Sequence, residues 1–281
     1  MKFFGFDFTS SPSGQKPITL CVCEFRGATL TYLEHHRIDG FNAFEAWLYS
    51  EGPWVAGFDF PFCYAREFVS GMGWPTGWGH LAKDLAAMPK QTYLDDIAAF
   101  RARQPEGEKH LYRGLDRLTG GASPNNVINP PVGRMLFEGV PRLWEAGLDV
   151  PGLHAGDVRR VAVEAYPAVA MKHLIGTTAY KDGTTEEAVP RRSLRREAIR
   201  RLAADNRFGF RVDAPMTLAE DRAGDDIDGL ICAVQAAWAF LQGMTGADWP
   251  NAVRSGAFDP AEGWIADPAA FSPEWEPVPA Q

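Results

Sequence analysis

Four short segments of this chain each set a carboxylate among apolar neighbours: Gly5-Phe6-Asp7-Phe8-Thr9-Ser10, Gly57-Phe58-Asp59-Phe60-Pro61, Val163-Glu164-Ala165-Tyr166-Pro167 and Asp225-Asp226-Ile227-Asp228-Gly229. The first three close runs that read as strands, and the fourth opens a strongly apolar helix. A carboxylate buried among Phe, Val and Ile is costly unless it is paired, hydrogen-bonded or bound to a cation. Four such placements call for a fold that gathers them, and a divalent metal site is a common reason for doing so.

Strand signals come early. Lys2 to Phe8 reads as a first strand, the turn-rich Thr9-Ser10-Ser11-Pro12-Ser13-Gly14 leads to a second at Ile18 to Phe25, and Arg26-Gly27 turns into a third at Thr29 to His36. Connections this short make antiparallel neighbours, so the spacing predicts a three-stranded meander. Phe41 to Tyr49 carries apolar residues at helical spacing, and Trp54 to Phe60 is an apolar strand between Pro53 and Pro61. A strand reached through a crossover helix normally runs parallel to the sheet it rejoins.

After Phe62 the pattern changes to helices and loops with no clear strand. Lys83 to Met88, Tyr93 to Arg103 and Val132 to Ala146 are the helix candidates, the last kinked or split at Pro141. The sheet resumes at Arg160 to Tyr166, with Pro167 suited to the first turn of the next helix, and a basic helix follows at Ser193 to Ala204. Asp225 to Leu241 is apolar on most sides and therefore buried. On it Asp225 and Asp228 share a face with Cys232, Ala236 and Ala239, small side chains that let a helix lie close to a sheet. The chain thus divides into the first part of a core (1–61), a mainly helical insertion or cap (62–157), the second part of the core (158–256) and a Pro-rich acidic tail with a short edge strand (257–281).

Composition narrows the classes. The 281 residues include four cysteines; Cys21 and Cys23 alternate on one strand with no His or second Cys pair to complete a tetrahedral site, so they read as core or half-exposed thiols. The histidines show no metal-ligand spacing, and Trp74 and Trp78 read as packing for a Gly-rich loop, with stacking on bases as the alternative. No apolar stretch reaches the roughly 18 residues of a membrane span. The start runs straight into a strand without a leader, which makes the cytoplasm the expected compartment. A net charge of −8 argues against a generally basic nucleic-acid binder, yet Arg191 to Arg201 holds six arginines and one glutamate.

Three antiparallel strands, a helix, a parallel strand, a further strand with helices and a late buried helix bearing Asp is the element order of the ribonuclease H-like fold. With the four acidic motifs in that order, the chain resembles the family called domain of unknown function 429 (DUF429), predicted ribonuclease H-like nucleases. The resemblance spans nearly the whole chain. It implies an α/β fold with a ribonuclease H-like mixed five-stranded sheet, flanking helices and a large helical insertion. Lys181, Arg191 and Arg192 are similar to a basic stretch that follows the family's glutamate, and Glu262-Gly263-Trp264-Ile265 to its closing strand. The late Asp-x-x-Asp helix is similar to that of Holliday-junction resolvases. Many ribonuclease H enzymes place a glutamate on the first crossover helix; here that helix offers Glu45 at an exposed-looking position, so the expected ligand is Glu164.

The expected chemistry is hydrolysis of nucleic-acid phosphodiesters, DNA or RNA. Asp7, Asp59, Glu164 and Asp228 are the expected catalytic residues, and with Asp225 they form the ligand set of a Mg2+ or Mn2+ site. Asp7 would bridge two ions that activate a water and stabilise the leaving oxygen. Thr9, Ser10, Lys181, Arg191, Arg192 and Arg195 are the expected substrate contacts. Each assignment has a structural alternative. Asp7 and Asp59 suit turns, Glu164 could pair with Arg159, Asp225 or Asp226 could cap its helix, and the arginine run could be a solvated face paired with Glu186, Glu187, Glu197 or the acidic tail. Two other functions stay open. One is a non-catalytic binding module. The other is an ATP-dependent phosphotransferase of the actin and sugar-kinase type, for which Asp182-Gly183-Thr184-Thr185 would be the second phosphate hairpin. No membrane contact is expected, and no protein partner is inferable.

Overall fold

A computed structural model describes residues 1–204, 206–245 and 259–271. Its centre is a mixed α/β sheet of seven strands, mostly parallel, flanked by helices and not closed into a barrel. Strands β1 (Lys2–Asp7), β2 (Ile18–Arg26) and β3 (Thr29–Ile38) form the expected antiparallel meander. Helix α1 (Phe41–Leu48) then crosses over to β4 (Trp54–Phe58), which pairs parallel to β1.

Five helices follow: α2 (Arg66–Met72), α3 (Trp78–Ala87), α4 (Lys90–Arg103), α5 (Gly114–Thr119) and α6 (Val132–Glu145). Strand β5 (Leu148–Asp149) leads to β6 (Asp157–Glu164), parallel to β4. Next come α7 (Pro167–Ile175), α8 (Thr185–Ala203), β7 (Arg211–Asp213) and α9 (Asp225–Leu241). The order across the sheet is β5-β6-β4-β1-β2-β3-β7, and the pairings make β2 the one strand that runs against the rest.

Seven strands replace the five expected from sequence. The added edges, β5 and β7, have two and three residues, too few for an alternating pattern to register. The expected tail strand Glu262 to Ile265 shrinks to one parallel bridge between Ile265 and Glu164. Residues 257, 258 and 272–281 of that tail lie outside the described residues. The basic helix begins earlier than expected, at Thr185, because Thr184 and Glu187 form a capping box before it. Pro141 sits inside α6 without ending it. Among the described residues no helix is long and apolar enough to cross a membrane.

Side-chain alternation divides the core in two. Phe4, Phe6 and Phe8 of β1 and its extension pack on one face with Phe58, α1 and α2, α3, α4 and α6. Phe6 and Phe58 stack there with ring centroids 4.8 Å apart. The residues between them face the other side, where α7, α8 and α9 cover Phe3, Val55, Val161 and Val163. The inserted helices therefore share the hydrophobic cluster of the sheet itself.

Glycine fixes how closely α9 approaches. Gly5 and Gly57 are register partners on β1 and β4. A Cβ on Gly5 would collide with the Gly229 carbonyl oxygen and the Ala233 nitrogen, and one on Gly57 with the Cys232 carbonyl oxygen. Helix backbone thus rests on strand backbone, which only glycine permits.

Candidate metal centre

That contact determines where the acids fall. Residues two apart on a strand share a face, so in each Gly-Phe-Asp segment the aspartate lies on the glycine's side, beneath α9, while phenylalanine enters the opposite core. Asp7 ends β1. Asp59 directly follows β4, its N–H donating to the Phe6 carbonyl at 2.9 Å. Asp228, one residue before the glycine that seats α9, is lowered onto both.

Ligand oxygens of Asp7, Asp59 and Asp228 all lie within 4.8 Å of one another. Asp228 is buried and the other two half-buried. Asp228 is anchored: the Tyr180 hydroxyl donates to its Oδ1 at 2.8 Å, and Lys181 Nζ pairs with its Oδ2. Among the described residues, no hydrogen bond or ion pair reaches the carboxylate of Asp7 or Asp59.

The electrostatics follow from that imbalance. Burial, reinforced by the charge on Asp228 and opposed by Lys181, pushes Asp59 from 3.8 up to about 7. Burial also raises Asp7 well above the ordinary carboxylate range, with Lys181 opposing and Asp228 and Asp59 adding to the shift. Burial works against the charge of Lys181, yet the summed attraction of Asp228, Asp7 and Asp59 holds its ammonium well above its usual range. Two donorless carboxylates beside an anchored third are hard oxygen donors of the kind that suit Mg2+ or Mn2+, so the residues present fit a divalent ion.

Glu164 does not join this group. Register pairs it with Phe58, which places its side chain on the phenylalanine face of the sheet rather than under α9. There Arg113 grips both of its oxygens, Nη1 to Oε2 at 2.7 Å and Nη2 to Oε1 at 2.6 Å, and the Phe62 N–H donates to Oε2 at 2.9 Å. Arg113 is held in turn by Asp116 at 2.8 Å. The partner is thus Arg113, from the helical segment, and not the nearer-in-sequence Arg159, which bonds the Gly52 carbonyl. Glu45 pairs with Arg142 at 2.9 Å.

Asp225 also lies outside the three-carboxylate group, half-buried, with Arg37 Nη1 3.7 Å away. Arg37 bonds Asp226 Oδ1 at 2.6 Å and Thr19 Oγ1 at 2.8 Å. Neither Asp225 nor Asp226 caps α9. Gly224 is the N-cap, and Asp221 Oδ2 accepts the N–H groups of Asp225 and Asp226 at 2.8 and 3.1 Å.

Of the expected substrate contacts, Thr9 and Ser10 are buried just past β1, and Lys181 belongs to the carboxylate group. The arginines turn to the protein instead. Arg195 is 1% exposed and donates to the carbonyls of Ala219 (2.9 Å) and Tyr180. Arg191 donates to the Lys181 carbonyl and to Glu187 at 2.7 Å. Arg192 and Arg196 meet Glu220 at 3.2 and 2.5 Å, and Arg200 and Arg201 meet Glu197. Arg191 and Arg195 therefore brace the loop carrying Tyr180 and Lys181, while the other four arginines pair with glutamates. Asp182 and Gly183 lie in that same loop, between α7 and α8, with no strand before them to make a phosphate hairpin.

Sequence reading missed Arg113 and Tyr180. Arg113 lacked a local signal, since its partner is 51 residues away. Tyr180 was marked only by its neighbour Lys181. All four cysteines are free and buried, which decides between core and half-exposed thiols in favour of the core, and Trp78 donates its indole N–H to the Phe62 carbonyl at 2.9 Å in the core.

A family model described as "Protein of unknown function (DUF429)" matches residues 5–251. No curated protein and no solved structure matches the chain.

Proposed function

The chain belongs to the DUF429 family, and from that premise we propose that it is a divalent-metal-dependent nuclease or phosphodiesterase acting on nucleic-acid phosphodiester bonds. The observation that carries this reading is the pair Asp7 and Asp59, side by side against Asp228 without a donor of their own. Carboxylates so placed are stabilised by a cation, and phosphodiester hydrolysis is the chemistry that most needs one beside clustered negative charge.

The framework supports the same reading. The order β3-β2-β1-β4-β6 with β2 reversed, the α1 crossover and an Asp-bearing helix across β1 fit a ribonuclease H-like core, extended here by β5 and β7. A bound Mg2+ or Mn2+ would polarise a phosphoryl oxygen and lower the pKa of a water. The chain's own part is to hold that ion with Asp7, Asp59 and Asp228, and to keep Asp228 oriented through Tyr180 and Lys181. In the reaction, water oxygen bonds to phosphorus and gives up a proton to solvent, the bond to the leaving oxygen breaks, and that oxygen takes up a proton from solvent.

Purified protein supplied with Mn2+ and offered single-stranded, duplex, hybrid and branched substrates tests the proposal. Cleavage that disappears in Asp7→Asn and in Asp228→Asn is expected. Cleavage undiminished in both variants would identify a contaminant, and no cleavage of any substrate would leave the non-catalytic binding module as the better reading.

A further inference from the structure

Among the described residues, every other buried carboxylate is paired with an arginine. Arg113 serves Glu164 and Asp116, Arg37 serves Asp226, and Arg207 meets Asp267 at 3.0 Å. Around Asp7, Asp59 and Asp228 there is, among the described residues, one paired cation, the ammonium of Lys181. Three carboxylates against one ammonium leave two negative charges, which one divalent ion balances. Of the two further carboxylates that could justify a second ion, Asp225 has Arg37 Nη1 3.7 Å away, and Glu164 faces the other side of the sheet and is held by Arg113.

Resting on the metal-dependent reading above, we propose that the centre takes a single divalent ion and that Lys181 occupies the place of a second one, supplying fixed positive charge to the phosphoryl group. Three features of the chain fit that role. Lys181 is fixed from its backbone side, where Arg191 donates to its carbonyl and Arg195 to that of Tyr180. The Asp182 N–H donates to the Arg222 carbonyl at 2.7 Å, and Arg222 returns a bond to the Gly183 carbonyl at 3.0 Å. The loop is thus tied down on both sides of the lysine.

The side chain of Lys181 is 37% exposed while that of Asp228 is 2% exposed. The ammonium consequently lies between the sealed carboxylate and solvent, the direction from which a phosphate would arrive. Each Asp228 oxygen accepts one bond from the chain and keeps a further lone pair for an ion, so lysine and metal share the carboxylate rather than compete for all of it. Lys181 forms no covalent bond and gives up no proton in this role; it contributes charge.

Mn2+ stoichiometry tests the inference without reference to turnover. Calorimetric titration gives the number of ions bound, and electron paramagnetic resonance separates an isolated Mn2+ from two exchange-coupled ions. One isolated ion is expected in the wild-type protein and in Lys181→Arg, and two coupled ions in Lys181→Met. The backbone bonds that fix the loop survive in both variants. A lysine with a merely structural role would lower the melting temperature of Lys181→Met and leave its stoichiometry at one, which overturns the inference. Two coupled ions in the wild type overturn it as well, while the metal-dependent reading stands. No Mn2+ bound to any of the three proteins would instead remove that reading, and this inference with it.

Discussion

Glu164 ends β6 and Asp59 follows the neighbouring β4; both are acidic, but side-chain alternation gives Glu164 an arginine partner and leaves Asp59 beneath α9. Glu164 shares two charge-assisted bonds with Arg113, and removing one partner of a buried pair typically costs about 3–5 kcal/mol. Glu164→Ala should lose that much in urea unfolding while keeping its Mn2+-induced rise in melting temperature. Asp7→Asn should do the reverse, gaining stability without metal and losing most of the metal response. Asp59 adds a pH signature. Its carboxyl is raised from 3.8 to about 7 by burial and by Asp228, so between those values the folded protein holds a proton that the unfolded chain has released. Stability of the metal-free protein is then greatest at the acid end of that window and falls as pH rises through about 7. Thermal melts in chelator should show the fall, and Asp59→Asn should flatten it. A slope unchanged in that variant would mean Asp59 titrates normally.

Helix α9 and the Arg-rich helix α8 teach opposite lessons about elements. The bounds of α9, Asp225 to Leu241, were legible because its apolar residues and alanines surround it and its small residues form a stripe. Its seat was also encoded, in the repeated Gly-Phe-Asp of two strands, where the glycine admits the helix and the aspartate two residues on meets Asp228. Gly5→Ala should therefore cost more than about 4 kcal/mol, the range of exceptional single substitutions, or prevent folding outright, as judged by soluble yield and unfolding. For α8 the sequence carried charge without direction. Periodicity cannot tell that Arg195 points inward to two carbonyls while Arg200 stays outside, since those carbonyls lie 15 and 24 residues away along the chain. Arg195→Ala should lose about 2 kcal/mol or more through carbonyls left without donors, and Arg200→Ala should stay within about 0.5 kcal/mol of wild type. Equal losses from the two would refute the bracing role of Arg195.

At the scale of the whole molecule, the meander, the crossover and the parallel β4 followed from connection lengths and patterning, and three of the expected carboxylates do meet. What escaped was parity and distance. The face of Glu164 depends on its register with β4, and its partner Arg113 arrives from the helical segment between β4 and β6. Net charge of −8 and an arginine run paired with the chain's own glutamates and carbonyls leave the carboxylate centre, with Lys181 at its rim, as the feature around which the proposed chemistry is organised. The direct test is a crystal soaked in Mn2+ and measured for anomalous scattering. The account predicts a difference peak bounded by Asp7, Asp59 and Asp228, with Glu164 still held by Arg113. An absence of density among the three aspartates, or a peak coordinated by Glu164 instead, would contradict it.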